Sequence, residues 1–453
     1  MLTFLLLYAL PIIGVIIALV IIFNAIVIVG GSSICLLERR WIGKSMPENR
    51  TVAIKNEVGI QARTLGPGFH FLIPFLYKTK KSPFITVTTD QIAYVEAITG
   101  EPIPSGSIFA KMVDCNFFMD GEKFLTTGGQ KGPQTQILPP GQYRINPFLF
   151  KVQYAPVTVI RDNQIGLVES IDGKPVPAGK IFAKTVDCNY YQNIEDFFTK
   201  GGEKGPQIQI LPPGNYRINP VLFKVKPVNN IIVNQGEVAT ITAMDGENIE
   251  TGRLLAKYVE GHSNFEDGDA FLNKGGQKGP QAQILLPGTY RINTSLFIPE
   301  IKPATIIPAQ KVGLVTAKDG EPLPQDELMA IQITGHDDFQ NVAEFLKNKG
   351  QRGPQLDILK PGTYYINPFM FDVVEEAVAE VKRGEVAVII SNVGKEHPMI
   401  DQTIKDIAAA ETNEKKTEIS KTADTKIDVG IERYVVPKGY RGIQQEVAGP
   451  GIY

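Results

Sequence analysis

Cysteine is scarce in this sequence, and so is any excess of charge of one sign. Only three cysteines occur in 453 residues, Cys35, Cys115 and Cys188. They are too few for the disulfide framework of a secreted scaffold, so the composition favours a reducing compartment. The 46 lysine and arginine residues nearly balance the 48 aspartate and glutamate residues, for a formal net charge of −2. No global basic field can therefore hold nucleic acid, and any partner must be recognised locally.

Glycine and proline, by contrast, are abundant. The chain has 43 glycines and 32 prolines, and they stand at fixed places beside short apolar runs. This spacing of glycine and proline predicts many turns between many strands, as in a mostly β protein. The length allows about two to four domains with apolar cores of their own.

The amino-terminal segment lacks charged side chains altogether. The first is Glu38, and the apolar run from Leu2 to Gly31 is long enough to cross a hydrocarbon layer of about 30 Å once. A cleaved signal peptide is the alternative, but no basic segment precedes the run and no small-residue cleavage site follows it. Residues 1–37 are therefore predicted to be a transmembrane anchor.

Basic residues follow this segment and none precedes it. Arg39, Arg40, Lys44 and Arg50 all lie just after the predicted anchor. By the positive-inside rule, we predict a single-pass membrane protein whose large carboxyl-terminal portion lies in the cytoplasm.

One twenty-residue pattern occurs four times. Gly128 opens GGQKGPQTQILPPGQYRINP, and related stretches open at Gly201, Gly275 and Lys349. The glycines at the second position of these stretches are 73, 74 and 74 residues apart, so a whole unit repeats. The predicted domains after the anchor are a membrane-proximal β half-module (38–82), repeat 1 (83–154), repeat 2 (155–228), repeat 3 (229–302), repeat 4 (303–376) and a divergent repeat 5 (377–453).

Repeat 2 illustrates what each copy is predicted to contain. Two strand-like runs flank the dipeptide Asp172-Gly173, a strong hairpin signal. A short helix should follow, with Asn193 as its N-cap and Gly201 at its end. Strands on either side of a Pro-Gly turn complete the unit. We predict separate modules about 25–30 Å apart, by the scaling of compact domains.

Repeat 5 differs from the others. The polar stretch from Glu411 to Lys426 interrupts it and is typical of a solvated loop or an exposed helix. The chain then reaches Tyr453 within a Gly-Pro-Gly turn motif, which we interpret as the sign of a fragment.

Four good metal ligands occupy one repeat position. Each lies 14 residues before the second-position glycine of its copy: Cys115, Cys188, His262 and His336. One ion cannot join equivalent positions of modules about 25 Å apart, because ligand distances are near 2.0–2.3 Å. The alternative interpretation is a small polar residue that precedes the short helix.

The other candidate residues match no known active-site motif. Lysine or arginine recurs in the Gly-rich loops, at Lys131, Lys204, Lys278 and Arg352, but no phosphate-binding motif surrounds it. His70 and His397 lack a catalytic pairing. Cys35 is either a lipidation site or a plain cysteine at the membrane boundary. We therefore predict no catalytic residues, cofactor or metal site, and no enzyme.

Two stretches of the sequence resemble a known family. The anchor followed by VAIKNEVGIQARTLGPGFHFLIPFLYK resembles the opening of the SPFH or band 7 family, which includes stomatins, prohibitins and flotillins. Residues 432–453 look like the start of a second band 7 domain. The repeats over 83–376 are similar to those of large bacterial flotillin-like proteins and to the β repeats of the major vault protein. The full band 7 core and its long helices are absent.

This resemblance implies a function. Such proteins form homo-oligomeric rings or cages at a membrane and organise lipids and proteins without catalysis. We therefore expect a membrane-anchored scaffold of a membrane microdomain, with membrane lipids and other membrane proteins as partners and no nucleic acid. The alternative is a surface binding or adhesion module for carbohydrate or protein. Exposed aromatics at one repeat position would favour it, but Phe118, Tyr191, Phe265 and Phe339 lie where a small module needs core.

Overall fold

The chain is mostly β with short helices, as the sequence predicts. The computed structural model describes residues 2–48, 50–325, 327–395 and 435–453, with side chains from residue 11 onward. The chain divides into two compact units. The first comprises Met1–Asn230, Phe265–Ala270 and Arg291–Leu296, and the second comprises Ile231–Asn264, Phe271–Tyr290 and Phe297–Tyr453.

The amino-terminal helix is shorter than the predicted anchor. Helix α1 spans Leu2–Ala25, and the chain then enters strands β1 (Ile26–Val29) and β2 (Ser33–Arg39). The β-branched run of β1 favours a strand. The prediction of an anchor over 1–37 is therefore wrong at its carboxyl-terminal end, because Ile34 to Leu37 are buried in a β-sheet. Over the residues whose side chains are described, no helix has the length and apolarity that a membrane crossing requires.

A small β-module follows α1 directly, over residues 26–83; we call it the first β-module. Its further strands are β3 (Gly59–Leu65), β4 (Gly68–Phe71) and β5 (Tyr77–Pro83). Strands β1 and β4 form an antiparallel ribbon, and β3-β2-β5 form an antiparallel sheet. The β structure therefore begins at residue 26, where the half-module was predicted to begin at residue 38.

The four repeats share one order of elements. Repeat 1 contains β6 (Ile85–Val87), β7 (Gln91–Ala97), α2 (Gly121–Thr126), β8 (Gly132–Leu138), β9 (Gly141–Tyr143) and β10 (Phe150–Pro156). Repeat 2 contains β11 (Thr158–Ile160), β12 (Gln164–Ser170), α3 (Ile194–Thr199), β13 (Gly205–Pro206), β14 (Gly214–Tyr216) and β15 (Phe223–Asn229). Repeat 3 contains β16 (Ile231–Val233), β17 (Glu237–Ala243), α4 (Gly268–Asn273), β18 (Gly279–Pro280), β19 (Gly288–Tyr290) and β20 (Phe297–Pro303). Repeat 4 contains β21 (Thr305–Ile307), β22 (Lys311–Ala317), α5 (Val342–Lys347), β23 (Gly353–Leu359), β24 (Gly362–Tyr364) and β25 (Phe371–Ala377).

Pairing follows the same rule in each of repeats 1 to 4. The first short strand and the strand after the Pro-Gly turn form a two-stranded ribbon, as in β6-β9, and the long second strand is the centre of a three-stranded sheet, as in β8-β7-β10. Repeat 5 is described through β26 (Glu380–Val381), β27 (Ala387–Ser391), β28 (Val435–Val436), β29 (Gly442–Ala448) and β30 (Gly451–Ile452). The polar stretch Glu411 to Lys426 and His397 lie outside the described residues, and so does the start of the predicted second band 7 opening.

The short helix of repeat 2 is where the sequence predicts it. Asn193 is the N-cap of α3, and its Oδ1 accepts a hydrogen bond from the Asp196 N–H at 3.1 Å. Gly201 follows the helix with a φ of +78°, which suits glycine. The capping residues at the two ends were therefore sufficient to predict this helix from the sequence.

The predicted hairpin around Asp172 and Gly173 is wrong. Strand β12 pairs with β13 and β15, which come later in the chain, and not with the run that follows Gly173. Asp172 is instead buried, and its Oδ2 accepts hydrogen bonds from the backbone N–H groups of Ile108 (2.8 Å) and Phe109 (3.0 Å) of repeat 1. The aspartate therefore holds a loop of the preceding repeat.

Within each unit the repeats share their cores. Val52 of the first β-module belongs to the core cluster of repeat 1, and Phe109 of repeat 1 belongs to that of repeat 2. In the second unit, Leu255 of repeat 3 joins the core of repeat 4. The prediction of separate modules is therefore wrong, because residues of the preceding repeat complete each of these cores.

Candidate functional site

The first β-module exposes large apolar side chains beside the end of α1. We call these residues the interface patch: Trp41, Ile42, Phe69, Phe71, Ile73 and Phe75. Phe69 and Phe71 are 74% and 79% exposed, and the other four are all more than half exposed. Soluble surfaces rarely expose several large apolar residues together, so this group indicates a contact surface.

Backbone pairing fixes the patch next to the helix. Strand β1 follows α1 without a gap, and Ile26 pairs with Phe71 and Ile28 with Phe69. The Leu72 N–H donates a hydrogen bond to the carbonyl oxygen of Ala25, the last residue of α1, at 2.8 Å. Phe71, at the end of β4, therefore lies next to the end of the apolar helix.

Two loops bring the remaining members of the patch together. The Trp41 Nε1–H donates a hydrogen bond to the Phe75 carbonyl oxygen at 2.9 Å, and the Arg40 N–H donates one to the Leu76 carbonyl oxygen at 3.0 Å. The Arg39 Nε–H donates to the Ile42 carbonyl oxygen at 2.7 Å. These bonds join the loop after β2 to the loop before β5.

Both loops contain backbone conformations that bulky residues seldom adopt. Ile42 has a φ of +51° and Phe75 a φ of +65°, and a left-handed conformation costs a non-glycine residue roughly 1–2 kcal/mol. Such strain is concentrated at functional sites. In this module the two strained residues, Ile42 and Phe75, also have exposed side chains.

The first β-module is also strongly basic. Between residues 26 and 83 the sequence has nine lysine and arginine residues but only three glutamates, although the whole chain has 46 basic and 48 acidic residues. Lys78, Lys80 and Lys81 are exposed along β5. The first β-module therefore combines exposed large apolar side chains with a cluster of exposed cations.

The four residues of the metal-ligand column are not brought together. Cys115 and Cys188 are fully buried in the separate cores of repeats 1 and 2. Burial lowers the pKa of His262, whose ring lies edge-on to Phe271. His336 stacks on Phe339, and its Nδ1 accepts a hydrogen bond from the Phe339 N–H at 2.9 Å. Across the described part of the chain, no three histidine, cysteine or acidic residues are grouped as a metal site.

The residue after each column position begins a left-handed turn that the sequence reasoning missed. Three consecutive residues have positive φ in each of repeats 1 to 4: Asn116, Phe117 and Phe118; Asn189, Tyr190 and Tyr191; Ser263, Asn264 and Phe265; and Asp337, Asp338 and Phe339. The third residue of each turn is buried, which confirms that this aromatic column is core. Asparagine and aspartate in three of the four first positions were the available signal, because they tolerate this conformation.

The basic loop residues do not form anion cradles. The side chains of Lys131, Lys204, Lys278 and Arg352 are exposed. Their backbone N–H groups are already used, as in the bond from Lys131 N to the Glu101 carbonyl oxygen at 2.8 Å. This is the geometry of a solvated turn residue.

Cys35 is not at the surface. It is fully buried in β2, within the core of the first β-module. Of the two alternatives for Cys35, lipidation is disfavoured, because the thiol is covered by protein.

A buried asparagine links successive repeats. The side-chain amides of Asn146, Asn219, Asn293 and Asn367 each donate to two backbone carbonyl groups of the preceding repeat or module. Asn293, for example, bonds the carbonyl oxygens of Gln207 and Ile208, both at 3.0 Å. The signal for this contact was the recurring Ile-Asn dipeptide, which proline follows in three of the four copies.

Known proteins give no family assignment. A scan against protein-family models finds no match, and a search of curated proteins finds no significant relative. The resemblance to the SPFH or band 7 family stays a prediction.

Proposed function

We propose that this chain is a non-enzymatic, membrane-anchored scaffold that assembles with copies of itself into a ring or cage and organises membrane lipids and proteins. In this proposal the apolar run from Leu2 anchors the chain as a single span, and the large carboxyl-terminal portion lies in the cytoplasm. The SPFH or band 7 relationship is part of the same proposal.

The interface patch is the observation that carries this proposal. Two of its exposed aromatic residues, Phe69 and Phe71, lie on the strand that pairs with β1 directly after the apolar helix, and exposed lysines of β5 lie in the same module. An aqueous environment would leave these side chains in contact with water at a cost of roughly 25 cal/mol per Å² of apolar surface. A bilayer interface would remove that cost and pair the cations with lipid phosphates.

The repeats support assembly with further copies. In repeats 2 to 4 the two-stranded ribbons begin with β11, β16 and β21. The central residues of these strands, Val159, Ile232 and Ile306, are exposed. Exposed apolar residues on short ribbons suit lateral contacts, and anchoring in one plane raises the effective concentration for weak contacts. Closed rings of identical subunits satisfy every such surface.

Trp41 allows a direct test of the membrane-facing surface. It is the only tryptophan in the chain, so intrinsic tryptophan fluorescence reports on the interface patch alone. In vesicles of mixed neutral and anionic lipids, we expect a blue-shifted emission that lipids brominated near the headgroup quench strongly. Aqueous iodide should quench it weakly.

A relocated tryptophan provides the control. The double variant Trp41→Phe with Phe148→Trp moves the fluorophore to an exposed position of repeat 1, where we expect quenching by iodide and not by brominated lipid. If Trp41 of the unmodified chain behaved like that control, the patch would face water. The proposal would then lose its main support, and the surface binding module would replace it.

A further inference from the structure

The second unit contains a groove at the junction of repeats 3 and 4. It has a volume of about 370 Å³, and all the residues that line it belong to that unit. Three of these residues are tyrosines: Tyr258, Tyr290 and Tyr365. A groove of this size is in the range of small-molecule sites, where aromatic side chains provide much of the contact area.

Hydrogen bonds hold two of these tyrosines in place. The Tyr290 hydroxyl donates to the Leu286 carbonyl oxygen at 2.8 Å, and the Tyr365 hydroxyl donates to Gln235 Oε1 at 3.3 Å. The third tyrosine, Tyr258, is 44% exposed. Because two of the three hydroxyl groups are already used, the aromatic rings are the main surface that remains for a ligand.

Asp337 is the only charged residue among the described residues that line the groove. Its side chain is exposed, and it takes part in none of the ion pairs that the described residues form. The Gln340 Nε2–H donates to Asp337 Oδ2 only over a long distance, 3.4 Å. The carboxylate is therefore open to a cationic ligand.

The residues of this groove differ from their equivalents in the other repeats. Tyr365 stands where repeats 1 to 3 have arginine, and Asp337 stands where they have asparagine or serine. Ala343, another lining residue, stands where they have glutamate or aspartate. Tyr258 corresponds to Met112, Thr185 and Gln332. Among repeats 1 to 4, three tyrosines and a carboxylate are therefore combined at this junction alone.

We propose that this groove binds a compact organic cation of the trimethylammonium type, such as choline. Aromatic rings attract such a cation through the negative charge of their faces, and the cation has no N–H group that needs an acceptor. Asp337 supplies the opposite charge. A metal cation would instead need several ligands, and no three histidine, cysteine or acidic residues are grouped together in the part of the chain that the structure describes.

Choline and its uncharged carbon isostere, neohexyl alcohol, are a matched pair of probes, because they have the same shape and differ in charge. Binding of each is measured by saturation-transfer NMR titration of the full-length chain in nanodiscs of phosphatidylglycerol, a lipid without choline. We expect choline to bind, and its isostere to bind roughly two- to thirtyfold more weakly, since it lacks the attraction of the rings for a cation. Equal affinities for the two probes would overturn the recognition of a cation.

Two variants that restore residues of the other repeats locate the binding. Tyr365→Arg introduces the arginine of repeats 1 to 3 and puts a positive charge at the groove, so it gives the baseline for choline that is attracted to the anionic lipid. Asp337→Asn introduces the asparagine of repeats 1 and 2 and should weaken choline binding about two- to fivefold without affecting the isostere. Equal choline signals from the unmodified chain and Tyr365→Arg would overturn the site.

Nanodiscs of phosphatidylcholine distinguish a soluble ligand from a lipid headgroup. If headgroups fill the groove, added choline should bind no better than it binds to Tyr365→Arg in the same nanodiscs. If the ligand is a soluble cation, choline should keep the affinity measured in phosphatidylglycerol. Both results support the site and identify its source of ligand, and neither depends on whether the chain is a scaffold.

Discussion

At the scale of single residues, one buried amide joins each repeat to the one before it. Asn293 is fully surrounded by protein, and its side chain uses both amide hydrogens and its oxygen, the latter accepting the Ser295 N–H at 3.0 Å. The sequence Asn293-Thr294-Ser295 matches the acceptor pattern for N-glycosylation. With the amide nitrogen buried and bonded, this asparagine is a structural residue.

Removal of these amides should destabilise the junctions unequally. Asn293→Ala leaves the carbonyl oxygens of Gln207 and Ile208 without a donor, at a cost of about 1–3 kcal/mol. Asn219→Ala should cost less, because its two bonds are already 3.4 and 3.5 Å long. Hydrogen-exchange mass spectrometry of the peptides 205–211 and 132–138 measures each effect locally. A larger loss of protection for Asn219→Ala than for Asn293→Ala would contradict this expectation.

Buried thiols are a second feature at this scale. Burial raises the pKa of Cys115 and of Cys188, and weaker hydrogen bonds from the backbone N–H groups of Phe118 and Tyr191 oppose the shift. A thiol whose folded pKa is raised contributes stability that is complete below the unfolded pKa of about 8.5. That contribution is lost as the pH rises through the folded pKa.

The thiols should therefore be unreactive in the folded chain. We expect none of the three cysteines to react with Ellman's reagent at pH 7.5 within the time in which all three react in denaturant. Stability should also decline above a pH of about 8.5, and a Cys115→Ala, Cys188→Ala variant should decline less. Rapid labelling of Cys115 under native conditions would contradict its burial. Because the native cysteines are buried, labelling experiments on membrane topology need a cysteine introduced at an exposed position such as Ser105.

At the scale of elements, the left-handed turn is the least expected feature of the repeat. Asn116, Phe117 and Phe118 have φ values of +55°, +51° and +63°. The turn directs the third side chain inward, where the Phe118 ring packs edge-on against Phe150 with centroids 5.2 Å apart. Packing of this aromatic side chain offsets the backbone cost.

Substitutions at Asn116 should separate backbone strain from side-chain contacts. Asn116→Val puts a β-branched residue at positive φ and should destabilise the turn by about 1–2 kcal/mol. Asn116→Gly should stay within about 0.5 kcal/mol of the unmodified chain, because glycine adopts this conformation freely. Hydrogen exchange of the amides of α2, which follows the turn, measures both. Equal stability of the two variants would contradict the left-handed conformation.

Elements defined by local signals could be predicted from the sequence, and those defined by distant partners could not. The cap of α3 depends on Asn193 and Asp196, three residues apart, and the sequence was sufficient. Asp172 looked like a hairpin residue because the partners of its side chain, Ile108 and Phe109, are 64 and 63 residues away. The end of α1 was missed because β1 is as apolar as the helix before it. Its β-branched residues favour a strand only weakly, and its pairing with β4 is a contact with residues about 40 positions later in the chain.

The interface patch also could not be predicted from the sequence. Phe69, Phe71 and Phe75 are apolar residues in and near strands, and the sequence alone gives no sign that they face outward. Their exposure follows from the size of the first β-module, whose small core is filled by Val29, Cys35, Leu37 and Leu65. The excess of lysine and arginine over residues 26–83 was legible in the sequence, but the nearly neutral net charge of the whole chain concealed it.

At the scale of the whole molecule, the sequence period is not the folding unit. The buried asparagines, the aspartate at Asp172 and the shared cores all join one repeat to the preceding one within a unit. A single repeat excised from the chain would therefore lose part of its core and expose the carbonyl groups that its neighbour satisfies. Within each unit, tandem copies are therefore needed to complete each other's cores.

The central claim of the proposed function is that anchored copies of this chain assemble with one another at a membrane. The most direct test is the mass and shape of the full-length protein in a mild detergent and in large lipid nanodiscs, by mass photometry and negative-stain electron microscopy. The account predicts closed rings or cages that contain many copies of the 49.8 kDa chain. Single copies in both environments, at concentrations well above those expected in a membrane, would contradict it.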